Sequence, residues 1–503
     1  MKHKLLVVAT LAVGAGAAQA NVTLPKLLSD GCVLQRNQPV RLYGTADPGE
    51  AVTLTLKGKT VTATTGGDGK WLVSLPAQGA GGPFVLSVKG KNTLTVKDVY
   101  FGEVWVCSGQ SNMEWSLKNS FQPDADIAKA ANPTIRLFMV KNVRSDSPKQ
   151  DVEVQLPWSA AAPESVQGFS AVGYYFGRML SEKLGVPIGL ISSDWGGTPA
   201  ESWTPEERIL GNGALKPLAD SYPAAFARYD EQRKKWATES AQAKLEGKTP
   251  PAAPRAPWRY SELYNAMIAP LTKYGIRGAI WYQGESNASR AMQYRELFPT
   301  MIEGWRSVWN NKEMPFYLVQ LAPFQASGPQ KTEYAELREA QTLATQRLRN
   351  VGMAVITDVG EEKDIHPKKK QPVGERLALL ARRDVYKEKS LVAQGPTFKG
   401  AAFAGAKATV TFANTGSGLM AAPADSNGVA VETGKVIGFQ LAGDDGTFYP
   451  ADAVIEGSDK VVVTCAQVPL PKAVRYAFIN FPITNLWNKE GLPAGPFRSD
   501  SPK

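Results

Sequence analysis

The chain has 503 residues, 43% of them hydrophobic and 21% charged, and its size calls for roughly two to four domains. Its net charge of +10 falls to +8 without Lys2 and Lys4, a modest excess compatible with an anionic glycan but not demanding one. With no Arg/Lys-rich arm and no C-x-x-C spacing among its three cysteines, nucleic-acid binding, a cysteine metal site and a disulfide scaffold are set aside.

Residues 1–20 read as a secretory signal peptide. Lys2 and Lys4 make the basic start, Leu5 to Ala18 the apolar core and Ala18-Gln19-Ala20 the cleavage site. The apolar run is too short and too soon interrupted to anchor in a membrane, and no other stretch is long enough to span one. The mature protein is therefore expected to begin near Asn21 and to work in the periplasm or outside the cell.

Residues 21–97 read as an N-terminal β-sandwich-like module. Val40–Tyr43, Val52–Leu56 and Trp71–Leu75 have strand composition, separated by Asp47-Pro48-Gly49 and Gly66-Gly67-Asp68-Gly69. From residue 98 to about 390 strands alternate with amphipathic helices. Expected strands are Val104–Cys107, Ile135–Val140, Ile188–Ser192, Gly278–Tyr282, Phe316–Leu321 and Ala354–Thr357. One helix carries Tyr174, Tyr175, Met179, Leu180 and Leu184; another carries Tyr294, Leu297, Met301 and Trp305; a third carries Val373, Leu377 and Leu380. This alternation predicts an α/β domain with a mostly parallel sheet covered on both faces and ligands at its carboxyl strand ends. A helical and Pro-rich insertion at about 205–260, with Phe226, Tyr229 and Trp236 and then Thr249–Pro257, interrupts the alternation. Residues 391–503 read as a C-terminal β module, with strands at Ala408–Phe412 and Val461–Thr464.

Chemistry concentrates at the predicted strand ends. Ser111, in Gly109-Gln110-Ser111-Asn112-Met113, stands where a buried strand turns into a helix, which projects its hydroxyl and places its N–H at a helix N-terminus suited to an oxyanion. Met113 replaces the second glycine of the G-x-S-x-G elbow, so the α/β-hydrolase pattern does not apply. The chain has two histidines, and His3 leaves with the leader. His366, in Asp364-Ile365-His366-Pro367, is then the one imidazole able to take a proton from Ser111. Asp364 is placed to fix its tautomer, with Asp358, Glu361 and Glu362 as alternatives. Gly196 and Gly197, after Ile188–Ser192, offer backbone N–H groups, and Gln283 or Asn287, after Gly278–Tyr282, a side-chain amide to the same oxyanion. Singly these residues also suit caps and tight turns; it is their joint occurrence at four strand ends that points to catalysis. Cys107 reads as a small filler of the buried strand, while Cys32 and Cys465 are available to pair in an oxidising compartment.

These blocks, together with Trp195-Gly196-Gly197-Thr198, Glu201, Trp203 and Trp281-Tyr282-Gln283-Gly284-Glu285-Ser286-Asn287, resemble the sialate O-acetylesterase family of the SGNH-hydrolase superfamily. Leu28–Gln35 looks like the family's opening, and Asn485-Leu486-Trp487 with Gly491–Ala494 like its closing segment. The resemblance implies an SGNH-type three-layer αβα domain flanked by β modules. It also implies a carbohydrate O-acetylesterase that works without metal or cofactor. Ser111 would be nucleophile and His366 base, with the oxyanion hole from the Ser111 N–H, Gly196 or Gly197, and Gln283 or Asn287. The superfamily usually places its acid three residues before the histidine; Lys363 stands there, and Asp364 lies two before. Acetylated sialic acid and acetylated plant polysaccharide both suit such a site. A non-catalytic glycan-binding protein with a degenerate hydrolase domain is the alternative.

Overall fold

The structure, a computed structural model, describes residues 21–328 and 330–501, so the expected leader at 1–20 lies outside the described residues. The strand that carries Ser111 at its end is the hub. It runs from Thr93 to Gly109, far longer than the Val104–Cys107 segment expected, and passes through two environments. We number the strands β1 (Val33–Gln35), β2 (Val40–Thr45), β3 (Ala51–Leu56), β4 (Lys59–Thr64), β5 (Lys70–Leu75), β6 (Gly81–Lys89) and β7 (Thr93–Gly109). The first part of β7 pairs with β6 and β1, while β3 joins β4 to β6 and β2 pairs with β5 apart from them. The division at 97/98 thus falls inside one continuous strand.

From Glu103 onward β7 enters a parallel sheet. Its other members are β8 (Asn132–Val140), β9 (Val154–Ala161), β10 (Ile188–Asp194), β11 (Gly278–Tyr282), β12 (Phe316–Val319) and β13 (Val351–Ala354), in the order β13-β12-β11-β7-β10-β8-β9. Only β9 runs antiparallel to its neighbour. Every residue of β10, β11 and β12 is buried, the pattern of strands covered on both faces. On one face lie α1 (Ala171–Leu184) and, after it in the chain, the helix Gln371–Asp384. They pack Tyr175, Phe176, Val373 and Leu377 into one core. The other face carries Tyr294, Phe298 and Trp305 of the helix Ala291–Val308, whose core is continuous with Val52, Leu54 and Val88 of the N-terminal strands. Burying apolar side chains of this size stabilises by about 1.5–3 kcal/mol each.

The last central strand is displaced from its expected place: β13 is Val351–Ala354, and Val355–Thr357 already belong to the loop. Ile356 is fully buried there, so its apolar character records packing, not strand pairing. The insertion contains a helix at Lys216–Leu245 followed by the irregular Pro-rich stretch. The C-terminal residues form a five-stranded and a four-stranded antiparallel sheet around Val410, Phe412, Leu441, Val461 and Tyr476. Arg338, fully buried, fastens this part to the centre by donating to the carbonyls of Leu321, Ala322, Ile479 and Asn480.

Cys32 and Cys465 do not pair. Both are free, buried in separate cores, and Cys465 Sγ instead meets Gln467 Oε1 at 3.1 Å. Cys107 is fully buried in β7.

Candidate active site

Three neighbouring strands end at one level. Gly109 of β7 is in register with Asp194 of β10 on one side and Tyr282 of β11 on the other. The segments that follow, Gln110-Ser111, Trp195-Gly196-Gly197 and Gln283-Gly284-Glu285, therefore converge. Gly109 makes the turn possible. Its φ is +141°, and a Cβ there would lie 2.1 Å from the Tyr282 carbonyl oxygen. The Gln110 N–H donates to that carbonyl at 2.9 Å, and Gln110 Oε1 accepts from the Gly284 N–H at 3.2 Å. Ser111 then opens a one-turn helix, Ser111–Glu114, so its N–H is among those with no acceptor inside the helix.

His366, in the loop after β13, brings Nε2 to 2.8 Å from Ser111 Oγ although 255 residues separate them. Its ring stacks on Trp115 at 5.1 Å and 18°. Partial burial and the Lys370 charge hold the imidazole pKa below its ordinary value against the opposing pull of Asp364. A neutral imidazole protonated at Nδ1 leaves Nε2 free to accept the serine proton. Asp364 does not reach Nδ1 as expected. Its Oδ1 accepts the His366 backbone N–H at 2.9 Å and lies 3.8 Å from Nδ1, an ion-pair distance without a hydrogen bond. Among the alternatives, Asp358 is held by both terminal nitrogens of Arg376 at 2.6 and 2.7 Å, and Glu361 accepts the Lys368 N–H.

The expected oxyanion donors separate into two groups. Gly196 lies against Ser111, since a Cβ on it would sit 3.1 Å from Ser111 Cβ, but its N–H donates to Glu114 Oε2 at 2.8 Å. Gly197 has φ +72° and open space on its Cα. Gln283 and Asn287 are turned away into the protein. The Gln283 amide donates to Thr198 O and to Asn287 Oδ1 while its Oε1 accepts from Tyr294. Asn287 donates to Glu201 Oε2 at 2.9 Å and accepts the Ala200 N–H at 2.9 Å. Glu201 is in turn paired with Arg290 at 2.7 Å. These amides brace the loops instead of lining the space beside Ser111.

Sequence reasoning missed a buried group behind the pair. Asn112 donates to Glu285 Oε1 at 2.6 Å and to the Ile365 carbonyl at 3.0 Å, and accepts from Lys370 Nζ. Lys370 is 1% exposed, with Nζ 5.7 Å from the Trp115 ring and 5.3 Å from the Tyr282 ring. Burial lowers its pKa to about 7 and raises that of Glu285. In the sequence Lys370 ends a run of three lysines, which looks like solvated surface. On the other side of the site the Pro-rich insertion delivers Trp258, edge-on to Trp195 at 5.1 Å, with the Arg144 guanidinium 3.8 Å above it.

A family model described as carbohydrate esterase, sialic acid-specific acetylesterase, matches residues 252–382, a span containing Gln283, Asn287 and His366. The sialate O-acetylesterases of Mus musculus and Homo sapiens are each 33% identical to the chain over 390 residues. That is 71% of this chain, 72% of the mouse protein and 69% of the human one. The crystal structure of a carbohydrate acetylesterase from Xanthomonas citri superposes with a TM-score of 0.81 at 38% identity, over 96% of this chain and all of that one.

Proposed function

The chain belongs to the sialate O-acetylesterase family, and from that premise we propose that Ser111 and His366 hydrolyse the acetyl ester of a carbohydrate. The protein is a carbohydrate O-acetylesterase, a carboxylic-ester hydrolase. One observation carries the assignment of residues: the 2.8 Å contact between Ser111 Oγ and His366 Nε2 at converging strand ends. Ser111 Oγ attacks the acetyl carbonyl carbon as its proton passes to Nε2. The tetrahedral oxyanion is met by backbone N–H groups, those of Ser111 and Gly197, because the Gly196 N–H is held by Glu114. Collapse breaks the bond to the sugar oxygen, which takes the proton from Nε2 and departs. Water, deprotonated by the same imidazole, then attacks the acetyl-serine, and acetate leaves with Ser111 restored.

Asp364 serves as the acid of the pair through charge: at 3.8 Å from Nδ1 it favours the imidazolium that forms during attack. Gln283 and Asn287 act as braces for the Gly197 and Glu201 loops. Residues 98–390 are read as the hydrolase unit, framed by β modules at 21–97 and 391–503. Export to the periplasm or beyond is supported by the leader sequence at 1–20. Among the described residues no helix is long and apolar enough to cross a membrane. The non-catalytic alternative is not favoured, since nucleophile and base are brought together.

A fluorophosphonate probe tests the assignment. It is expected to modify the peptide containing Ser111, to leave Ser111→Ala unmodified and to react slowly with His366→Ala. Labelling of Ser111→Ala at the wild-type rate would overturn it.

A further inference from the structure

We propose that Lys370 is a positioning residue for the Ser111–His366 pair, acting through the carboxamide of Asn112. The inference rests on the Ser111 and His366 roles given above and goes beyond them. Asn112 directly follows Ser111, and Ile365 directly precedes His366. The bond from Asn112 Nδ2 to the Ile365 carbonyl, at 3.0 Å, is therefore a strap between the two reacting loops. The second Nδ2 hydrogen goes to Glu285 Oε1 at 2.6 Å, which brings in the strand end after Tyr282.

A carboxamide can be turned either way, and here Lys370 selects the direction. Below about pH 7, where Lys370 is an ammonium, Nζ has only hydrogens to offer, so it holds Oδ1 and leaves Nδ2 facing the two acceptors. The opposite flip would set NH₂ against ammonium and Oδ1 against two oxygens. Without Lys370, Oδ1 is a buried acceptor with its donor removed, and the strap loses its anchor.

The placement of Lys370 runs against two general rules. Its ammonium is buried without a contacting carboxylate among the described residues, and it stands at the N-cap of the helix Gln371–Asp384, the end that disfavours a cation. A neutral donor would serve the scaffold at lower cost. What an ammonium adds is charge. His366 faces Lys370 and Asp364, while Lys370 faces Glu285, Glu361 and Asp364. Below about pH 7, where Lys370 is charged and His366 would otherwise take up a proton, the cation opposes that protonation and so keeps the base free. Trp115 borders Nζ and stacks on the imidazole.

Two substitutions separate strap from charge: Lys370→Met removes donor and charge, and Lys370→Gln keeps a donor without charge. Each is made in the full chain carrying His3→Gln, so that His366 is the one imidazole in the NMR spectrum. Thermal melting, kcat and KM for p-nitrophenyl acetate, and the imidazole titration are then measured. For Lys370→Met the expected result is a cooperative melt, kcat lowered by about ten- to hundredfold with KM within about twofold, and an imidazole pKa raised by up to about one unit. Lys370→Gln is expected to recover part of kcat while the raised pKa persists. If Lys370→Met fails to melt cooperatively, Lys370→Gln still decides on the titration, its raised pKa supporting the proposal and an unchanged one overturning it. A folded Lys370→Met with kcat within twofold of wild type and an unchanged imidazole titration also overturns it. Failure of the underlying reading looks different: Ser111→Ala would keep its activity, whatever the imidazole does.

Discussion

Replacing Gly109 by alanine tests whether the close approach of β7 and β11 builds the nucleophile's position. At φ +141° an alanine backbone is strained by about 1–3 kcal/mol. The new Cβ would meet the Tyr282 carbonyl oxygen at 2.1 Å, its carbon at 2.7 Å and the Tyr282 nitrogen at 2.9 Å, all backbone atoms that no rotamer change can move. Forcing the strands apart costs about another 1–3 kcal/mol, by analogy with an overpacked core. The sum, about 2–6 kcal/mol, corresponds to a melting point lower by roughly 10 °C. The bond from the Gln110 N–H to Tyr282 O would stretch, and Ser111 would shift relative to His366 by a sizeable part of an ångström. A displacement of that order costs up to about a hundredfold in kcat. Calorimetric melting and initial rates on p-nitrophenyl acetate measure both effects. A Gly109→Ala protein melting within about 2 °C of wild type with kcat within twofold would refute the reasoning.

Three further outcomes are expected. Burial pushes the Asp194 carboxyl up to about 8, above its ordinary 3.8. The folded state therefore holds that proton more tightly than the unfolded one, so the stability it contributes is present at low pH and is lost as pH rises through 8. Urea unfolding at pH 5 and pH 9 should show wild type losing up to a few kcal/mol more than Asp194→Asn, which retains the contact with Ser192 and does not titrate; equal losses would contradict it. Glu103 is buried between Arg36 at 2.6 Å, Arg277 at 2.7 Å and Gln35 at 3.0 Å, where β7 passes from one sheet to the other. Glu103→Gln should lower stability by about 2–4 kcal/mol, discounted for the partly exposed guanidiniums, and leave kcat unchanged. Finally, kcat/KM should fall on the acid side with a midpoint below 6.5 as His366 takes up a proton, and Asp364→Asn should move that midpoint lower because Asp364 favours the imidazolium. A midpoint moving upward would exclude the charge role given to Asp364.

Strand runs were readable where burial on both faces left an unbroken apolar signature, as in Gly278–Tyr282, which matches the observed strand end for end. The same signature misplaced β13, because Val355 and Ile356 are apolar for packing reasons in a loop. Ser111 and His366 were legible through motif and scarcity: a serine at a strand-to-helix turn, and one imidazole beyond the first twenty residues. The roles of Gln283 and Asn287 were not, since an amide's direction depends on Thr198, Glu201 and Tyr294, which the fold supplies from elsewhere. Glu114 was overlooked beside Ser111 because its partner, the Gly196 N–H, lies 82 residues away. Lys370 was hidden by its neighbours: Lys368 and Lys369 are exposed as a lysine run should be, and only the third turns inward.

The most direct test of the Ser111–His366 assignment is acetate release from p-nitrophenyl acetate, acetylated sialic acid and acetylated xylo-oligosaccharides by wild type, Ser111→Ala and His366→Ala side by side. Both variants should stay folded and fall to background on every substrate, while the sugar that wild type prefers names its acidic or neutral class. Full activity in folded His366→Ala would contradict the mechanism.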